Sequence, residues 1–172
     1  MLKRIFIPLA IALPILALLY VGIGRDTREL PSPLVGEPAP SFELTSLQDP
    51  GKTLTEADFT GDLAVIHVWS STCPVCHEDF PLLERLSEQG IEVYAFNYRD
   101  QRERAQQYLK IRGNPYDLIA YDPEGEAGMD WGVYATPETY VLDEDGTIVY
   151  KEIGPLNEQV VQEEILARAE AG

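Results

Sequence analysis

The chain has 172 residues, 45% of them hydrophobic, with 13 Lys and Arg against 29 Asp and Glu. That length holds one ordinary domain plus an appendage. A net charge of −16 argues against a general nucleic-acid binder, which must neutralise phosphates with a basic surface, and the apolar content argues against disorder. Two cysteines exclude a disulfide-dense scaffold and any four-cysteine zinc or iron–sulfur site within one chain.

The charge is unevenly spread, since residues 1–24 carry Lys3 and Arg4 and no acid. Residues 5–24 are an uncharged run, which as a helix rises about 30 Å, the hydrocarbon thickness of a bilayer. Pro8 and Pro14 weaken such a helix without forbidding it. Lys3 and Arg4 before the run keep residues 1–4 cytoplasmic and send the rest of the chain across the membrane. A cleaved signal peptide is the alternative, with Gly22-Ile23-Gly24 as its cleavage site. Residues 25–40, with Pro31, Pro33, Pro38 and Pro40, read as an extended tether to a domain at 41–172.

Within that domain, residues 41–45 and 52–54 flank the turn Asp49-Pro50-Gly51 and predict a hairpin, followed by a helical turn at 55–59. LAVIHVW at 63–69 predicts a central strand buried on both faces. A helix over 76–89 carries Phe80, Leu82, Leu83 and Leu86 and stops at Gly90. A strand over 91–98 leads to a helix capped by Asp100 and ending at Gly113-Asn114-Pro115. A short strand at 117–121, a short helix reaching Trp131, and strands at 139–143 and 147–153 around Asp145-Gly146 follow. An amphipathic helix at 159–169 closes the chain. This order predicts an α/β sandwich with a central mixed β-sheet flanked by helices, plus one N-terminal transmembrane helix.

Cys73-Pro74-Val75-Cys76 follows the buried strand and opens a helix. Free N–H groups and the positive dipole end at a helix N-terminus favour thiolate over thiol. Cys73 reads as the exposed nucleophile and Cys76, one turn inside, as the shielded second attacker. Two intervening residues bring the sulfurs close enough for a reversible disulfide, so the pair can exchange through a mixed-disulfide intermediate. A structural disulfide, half of a zinc site completed by His67 and His77, and inert core cysteines remain as alternatives.

VWSSTCPVC after an apolar strand resembles the thioredoxin superfamily active site, and Pro81 resembles the proline that kinks its helix. Gly113-Asn114-Pro115-Tyr116 and the stretch Gly132-Val133-Tyr134-Ala135-Thr136-Pro137-Glu138-Thr139 resemble, more closely, the CcmG/DsbE family. These are membrane-anchored periplasmic thiol–disulfide proteins of cytochrome c maturation. The resemblance implies a thioredoxin-like fold and a cis Thr136–Pro137 peptide beside a Cys73–Cys76 disulfide. It also implies an active-site acid, matched to Glu78, and a substrate groove lined by Tyr134 and Glu138. Two positions depart from the family. Thr72 stands where a tryptophan usually precedes the first cysteine, and His67 stands where thioredoxins bury an acid. A buried His67 could relay a proton to or from Cys76, or serve only as a hydrogen-bonded core residue.

The function implied by the resemblance is reduction of the haem-binding C-x-x-C-H disulfide of apocytochrome c, before haem attachment. Re-reduction would come from a membrane thiol–disulfide electron carrier (CcdA/DsbD-like), beside the cytochrome c maturation machinery at the bacterial inner membrane. No cofactor, no metal and no nucleic acid are expected. The alternatives are a broader exchanger acting as oxidant or isomerase, a membrane-tethered copper or zinc chaperone, and a non-catalytic assembly subunit.

Overall fold

The computed structural model describes residues 32–170. The expected cytoplasmic N-terminus, the transmembrane helix and the tether as far as residue 31 lie outside the described residues. Among the described residues no helix is long and apolar enough to cross a membrane.

Seven strands form one sheet: β1 (Glu43–Ser46), β2 (Thr53–Thr55), β3 (Leu63–Trp69), β4 (Glu92–Tyr98), β5 (Leu118–Asp122), β6 (Glu138–Asp143) and β7 (Ile148–Ile153), in the order β2-β1-β5-β4-β3-β6-β7. β3, β4 and β5 run parallel, while β6, β7, β1 and β2 pair antiparallel, so the sheet is mixed as expected. β3 sits between β4 and β6. Because side chains alternate across a strand, Val65 and Trp69 enter one hydrophobic cluster and Ala64, Ile66 and Val68 the other. A strand apolar on both faces therefore has nowhere to go but the centre. Each large side chain buried this way contributes roughly 1.5–3 kcal/mol.

The cluster of Val65 and Trp69 is covered by α1 (Phe80–Glu88) through Leu83 and Leu86, by α2 (Arg102–Arg112) through Ala105 and Leu109, and by the C-terminal helix α4 (158–169) through Val161 and Ile165. The opposite cluster holds Phe42, Phe59, Phe96 and Trp131 and is covered in part by the short α3 (Glu126–Asp130). α4 is not a uniform α-helix. Glu158–Val160 and Ala167–Ala169 are α-helical around a π-helical Val161–Leu166. Arg85 on α1 makes a bidentate ion pair with Glu158 at 3.0 and 2.6 Å.

Three local expectations change. The helix predicted from Cys76 breaks in two: Cys76–Glu78 is a tight 3₁₀ turn, and the α-helix starts at Phe80. Pro81 is the reason, because it lacks an N–H and its ring displaces the carbonyl four residues earlier. It therefore opens α1 rather than kinking a longer helix. Asp100 does not cap α2; that position belongs to Gln101, and the Asp100 side chain turns elsewhere. Finally, part of the stretch read as tether runs along the β6–β7 hairpin. Gly36 N–H donates to the Ile148 carbonyl, Ile148 N–H to Glu37 and Ala39 N–H to Gly146, while Leu34 and Ala39 pack on the Trp131 cluster.

Candidate active site

The carboxyl end of β3 delivers the chain into a turn, Ser70-Ser71-Thr72, from which Cys73 emerges. Cys73 N–H donates to the Ser70 carbonyl at 3.0 Å, and the Ser70 and Thr72 hydroxyls lie 2.9 Å apart. Thr72, where the resembled family carries tryptophan, is exposed and spends its hydroxyl inside this turn. Cys73 and Cys76 are joined as a disulfide, with Cα atoms 5.6 Å apart. The Cys76 N–H donates to Cys73 Sγ at 3.2 Å. A helical-turn N–H aimed at sulfur stabilises the thiolate that forms when the disulfide opens. Cys73 is 6% exposed and Cys76 fully buried, so only Cys73 can be approached, although it is more shielded than an exposed nucleophile. Pro74 is exposed between them.

The other wall is the loop entering β6. The Thr136–Pro137 peptide is cis, as the resemblance implied, and the Thr136 carbonyl lies 3.5 Å from Cys73 Sγ. In the disulfide this is a contact, since the sulfur has no proton to donate; in the thiol, S–H would face an acceptor. Tyr134 stands 87% exposed on this loop. Glu138, expected in the substrate groove, is instead wholly buried. It shares a strand face with Tyr140, and its carboxylate gathers four donors. Oε1 accepts Tyr134 N–H at 2.8 Å and Ala135 N–H at 3.2 Å; Oε2 accepts the Tyr140 hydroxyl at 3.1 Å and the Lys151 ammonium at 3.0 Å. Lys151 also donates to the Gly132 carbonyl at 2.8 Å. Glu138 and Lys151 therefore hold both ends of the loop that faces Cys73.

A second buried network lies on the other side of β3. His67 Nδ1 is 2.7 Å from the Tyr116 hydroxyl and Nε2 is 3.1 Å from Asp79 Oδ2, while Asp79 Oδ1 accepts Leu156 N–H at 2.9 Å. His67 and Asp79 are both fully buried. Burial first, then the Asp79 carboxylate and Tyr108, push the Tyr116 phenol well above its ordinary range. Trp69 stacks on Tyr116 with ring centres 5.9 Å apart, and Phe80 meets Tyr116 edge-on at 5.7 Å. With both ring nitrogens engaged, His67 presents no free lone pair to a metal. Among the described residues no group of three or more His, Cys, Asp or Glu side chains is placed to hold one.

The expected acid, Glu78, points into solvent; the buried carboxylate is its neighbour Asp79. Which of two adjacent acids faces inward depends on the phase of the helical turn, and the break forced by Pro81 resets that phase. Sequence reasoning placed none of Tyr116, Asp79 and Lys151 in the site. Tyr116 left a signal as part of the Gly113-Asn114-Pro115-Tyr116 motif, and Asp79 lies three residues after Cys76, hence one turn along.

A mixed sheet between helices, a Cys-x-x-Cys disulfide at a helical N-terminus and a cis-proline loop against it define a thiol–disulfide oxidoreductase of thioredoxin-like fold. The Redoxin family matches residues 34–169. The thiol:disulfide interchange protein DsbE of Allochromatium vinosum is 44% identical over 174 residues, covering 99% of this chain and 96% of that one. The DsbE of Escherichia coli K12 is 41% identical over 169 residues, covering 95% and 91%. Among solved structures, a thiol–disulfide isomerase from Thermus thermophilus superimposes with a TM-score of 0.63 at 29% identity, covering 78% and 96%. The chain belongs to the DsbE (CcmG) family of thiol:disulfide interchange proteins.

Proposed function

We propose that this protein is a dedicated reductant, acting on the C-x-x-C-H disulfide of apocytochrome c before haem is attached. The observation that carries the chemistry is the Cys73–Cys76 disulfide, with the Cys76 N–H on Cys73 Sγ and the Thr136 carbonyl across from it. The choice of substrate rests on the family resemblance of Gly132-Val133-Tyr134-Ala135-Thr136-Pro137-Glu138-Thr139.

In the reduced protein, the Cys73 thiolate attacks one sulfur of the substrate disulfide. A Cys73–substrate bond forms, and the other substrate sulfur leaves as thiolate. Cys76, deprotonated, then attacks Cys73 Sγ and releases the second substrate thiolate. Two electrons pass from the protein to the substrate, and the protein is left with the Cys73–Cys76 disulfide present in this structure. The buried His67–Asp79 pair would serve as polar support at the end of the turn that carries Cys76, and Pro74, Thr136 and Pro137 would shape the approach to Cys73. Tyr134 would meet the substrate chain. Residues 5–24 would anchor the protein in the inner membrane with residues 1–4 cytoplasmic, leaving the domain periplasmic. Confinement there raises the effective concentration of a membrane electron carrier of the CcdA/DsbD type and of the maturation machinery.

The direction is tested by the reduction potential of the Cys73–Cys76 pair, from redox-buffer equilibration and thiol trapping. A value near that of thioredoxin, about −270 mV, or somewhat above it supports a reductant; one near that of the oxidant DsbA, about −120 mV, overturns the assignment. The substrate is tested with an oxidised C-x-x-C-H peptide. Reduced protein should convert it to the dithiol, and Cys76→Ser should trap it on Cys73. Failure with this peptide alongside reduction of an unrelated disulfide would remove the apocytochrome assignment while leaving the chemistry.

A further inference from the structure

Asp100 has no part in the site so far described, yet its carboxylate is among the most heavily bonded in the molecule. It lies at the corner where β4 leads into α2 and is 8% exposed. Oδ2 accepts the Ser71 N–H at 2.5 Å and Asn97 Nδ2 at 3.1 Å; Oδ1 accepts the Ser71 hydroxyl at 2.8 Å and the Gln101 N–H at 2.7 Å. All four donors are neutral. Two belong to Ser71, in the turn that carries Cys73.

The corner is built to aim this carboxylate. Arg99 adopts φ of +49°, a left-handed conformation that costs a residue with a Cβ roughly 1 kcal/mol. It is held there by its N–H on the Asp122 carbonyl at 2.8 Å. The Asp100 carbonyl in turn accepts the Tyr121 hydroxyl at 3.0 Å, and the Arg102 guanidinium lies 4.1 Å above the Tyr121 ring. Asp100 is thus fastened to β5 on one side and fastens Ser71 on the other.

We infer that Asp100 is a positioning residue for Cys73, acting through Ser71, and that its contribution is greatest in the reduced protein. In the oxidised state the disulfide itself fixes Cys73 relative to Cys76. Once that bond opens, the Ser70–Cys73 turn keeps its place only through non-covalent contacts, and the Asp100–Ser71 pair supplies the strongest of those described. The pair therefore stabilises the reduced form more than the oxidised form. By the thermodynamic cycle linking folding and reduction, weakening it makes the protein a stronger reductant. A residue that served the fold alone would destabilise both forms equally and leave the potential where it was.

The experiment uses the full-length protein in detergent and compares wild type, Ser71→Ala, Asp100→Asn and Asp100→Ala. Each is measured for reduction potential and for the denaturant midpoint of both redox forms. Ser71→Ala changes no charge and removes one hydrogen bond, so it covers the case in which Asp100→Ala fails to fold. Asp100→Asn removes the charge and replaces one acceptor oxygen by an N–H donor, so it keeps part of the clamp, whereas Asp100→Ala removes all of it. The expected result is a several-fold shift of the dithiol–disulfide equilibrium toward the disulfide in Ser71→Ala relative to wild type. Asp100→Ala should shift about tenfold relative to Asp100→Asn, which is about 30 mV for a two-electron couple. The midpoint of the reduced form should fall further than that of the oxidised form. The inference is overturned if Ser71→Ala keeps the wild-type potential and Asp100→Ala matches Asp100→Asn, with both redox forms losing equal stability.

Discussion

Lys151 holds its ammonium 3.0 Å from Glu138 Oε2, with 3% of the lysine side chain and none of the glutamate exposed. The pair bridges β7 to the loop that faces Cys73, so a residue on the outermost strand governs a wall of the active site. Truncating one partner of a buried pair costs about 3–5 kcal/mol, mostly because the other charge stays behind in the interior. Lys151→Met is therefore expected to lower stability by about 3 kcal/mol in chemical denaturation. Adding Glu138→Gln to Lys151→Met should restore part of that loss, since no uncompensated charge remains.

Tyr134 should behave in the opposite way. At 87% exposure its ring makes only a peripheral contact with the Lys151 ammonium, 5.8 Å from the ring centre, and surface substitutions of this kind usually change stability by less than about 0.5 kcal/mol. Tyr134→Ala should leave the unfolding midpoint and the reaction with a small dithiol unchanged. The KM for a C-x-x-C-H peptide should rise about fivefold or more; equal KM values would remove Tyr134 from the substrate groove.

His67→Ala would leave Asp79 buried with the Leu156 N–H as its one remaining described partner. An expected loss of about 3 kcal/mol follows from stranding the carboxylate. Asp79→Asn in the His67→Ala background should recover part of it. If the pair also supports proton movement at Cys76, His67→Asn will slow reduction of a peptide disulfide, read as a lowered kcat at wild-type KM.

Tyr116 sets an alkaline limit. Its phenol is raised well above the ordinary value by burial and by Asp79, so the folded protein keeps a proton that the unfolded chain releases near pH 10. The group's contribution is complete below that pH. Above it, stability falls with rising pH at up to about 1.4 kcal/mol per pH unit for each such tyrosine. Tyr140, raised by burial and by Glu138, adds in the same sense. Urea midpoints measured from pH 9 to 11.5 should decline, and Tyr116→Phe should decline less steeply; an unchanged slope would contradict the buried hydroxyl.

The strands were legible because their alternation is local. LAVIHVW has to be central, and Asp145-Gly146 has to turn, with Gly146 at φ +77° and its N–H on the Asp143 carbonyl at 3.0 Å. Cys73 and Cys76 were legible for the same reason, since three residues of spacing after a buried strand place both sulfurs at one helical start. The inward-facing acid was not. Glu78 and Asp79 are equivalent in sequence until the turn broken by Pro81 decides which of them points at β3.

By itself, then, the order of residues determined the α/β architecture, the redox pair and the turn-forming positions through periodicity and short-range spacing, and the family through the resemblance of its motifs. The tertiary structure alone decided how the charges are used. Asp79 meets His67 across 12 positions, Glu138 meets Lys151 from a neighbouring strand, and Asp100 reaches Ser71 across 29. A buried carboxylate is stable only where enough donors converge on it, and that convergence is a property of the assembled sheet and its loops, with no counterpart in the linear chain.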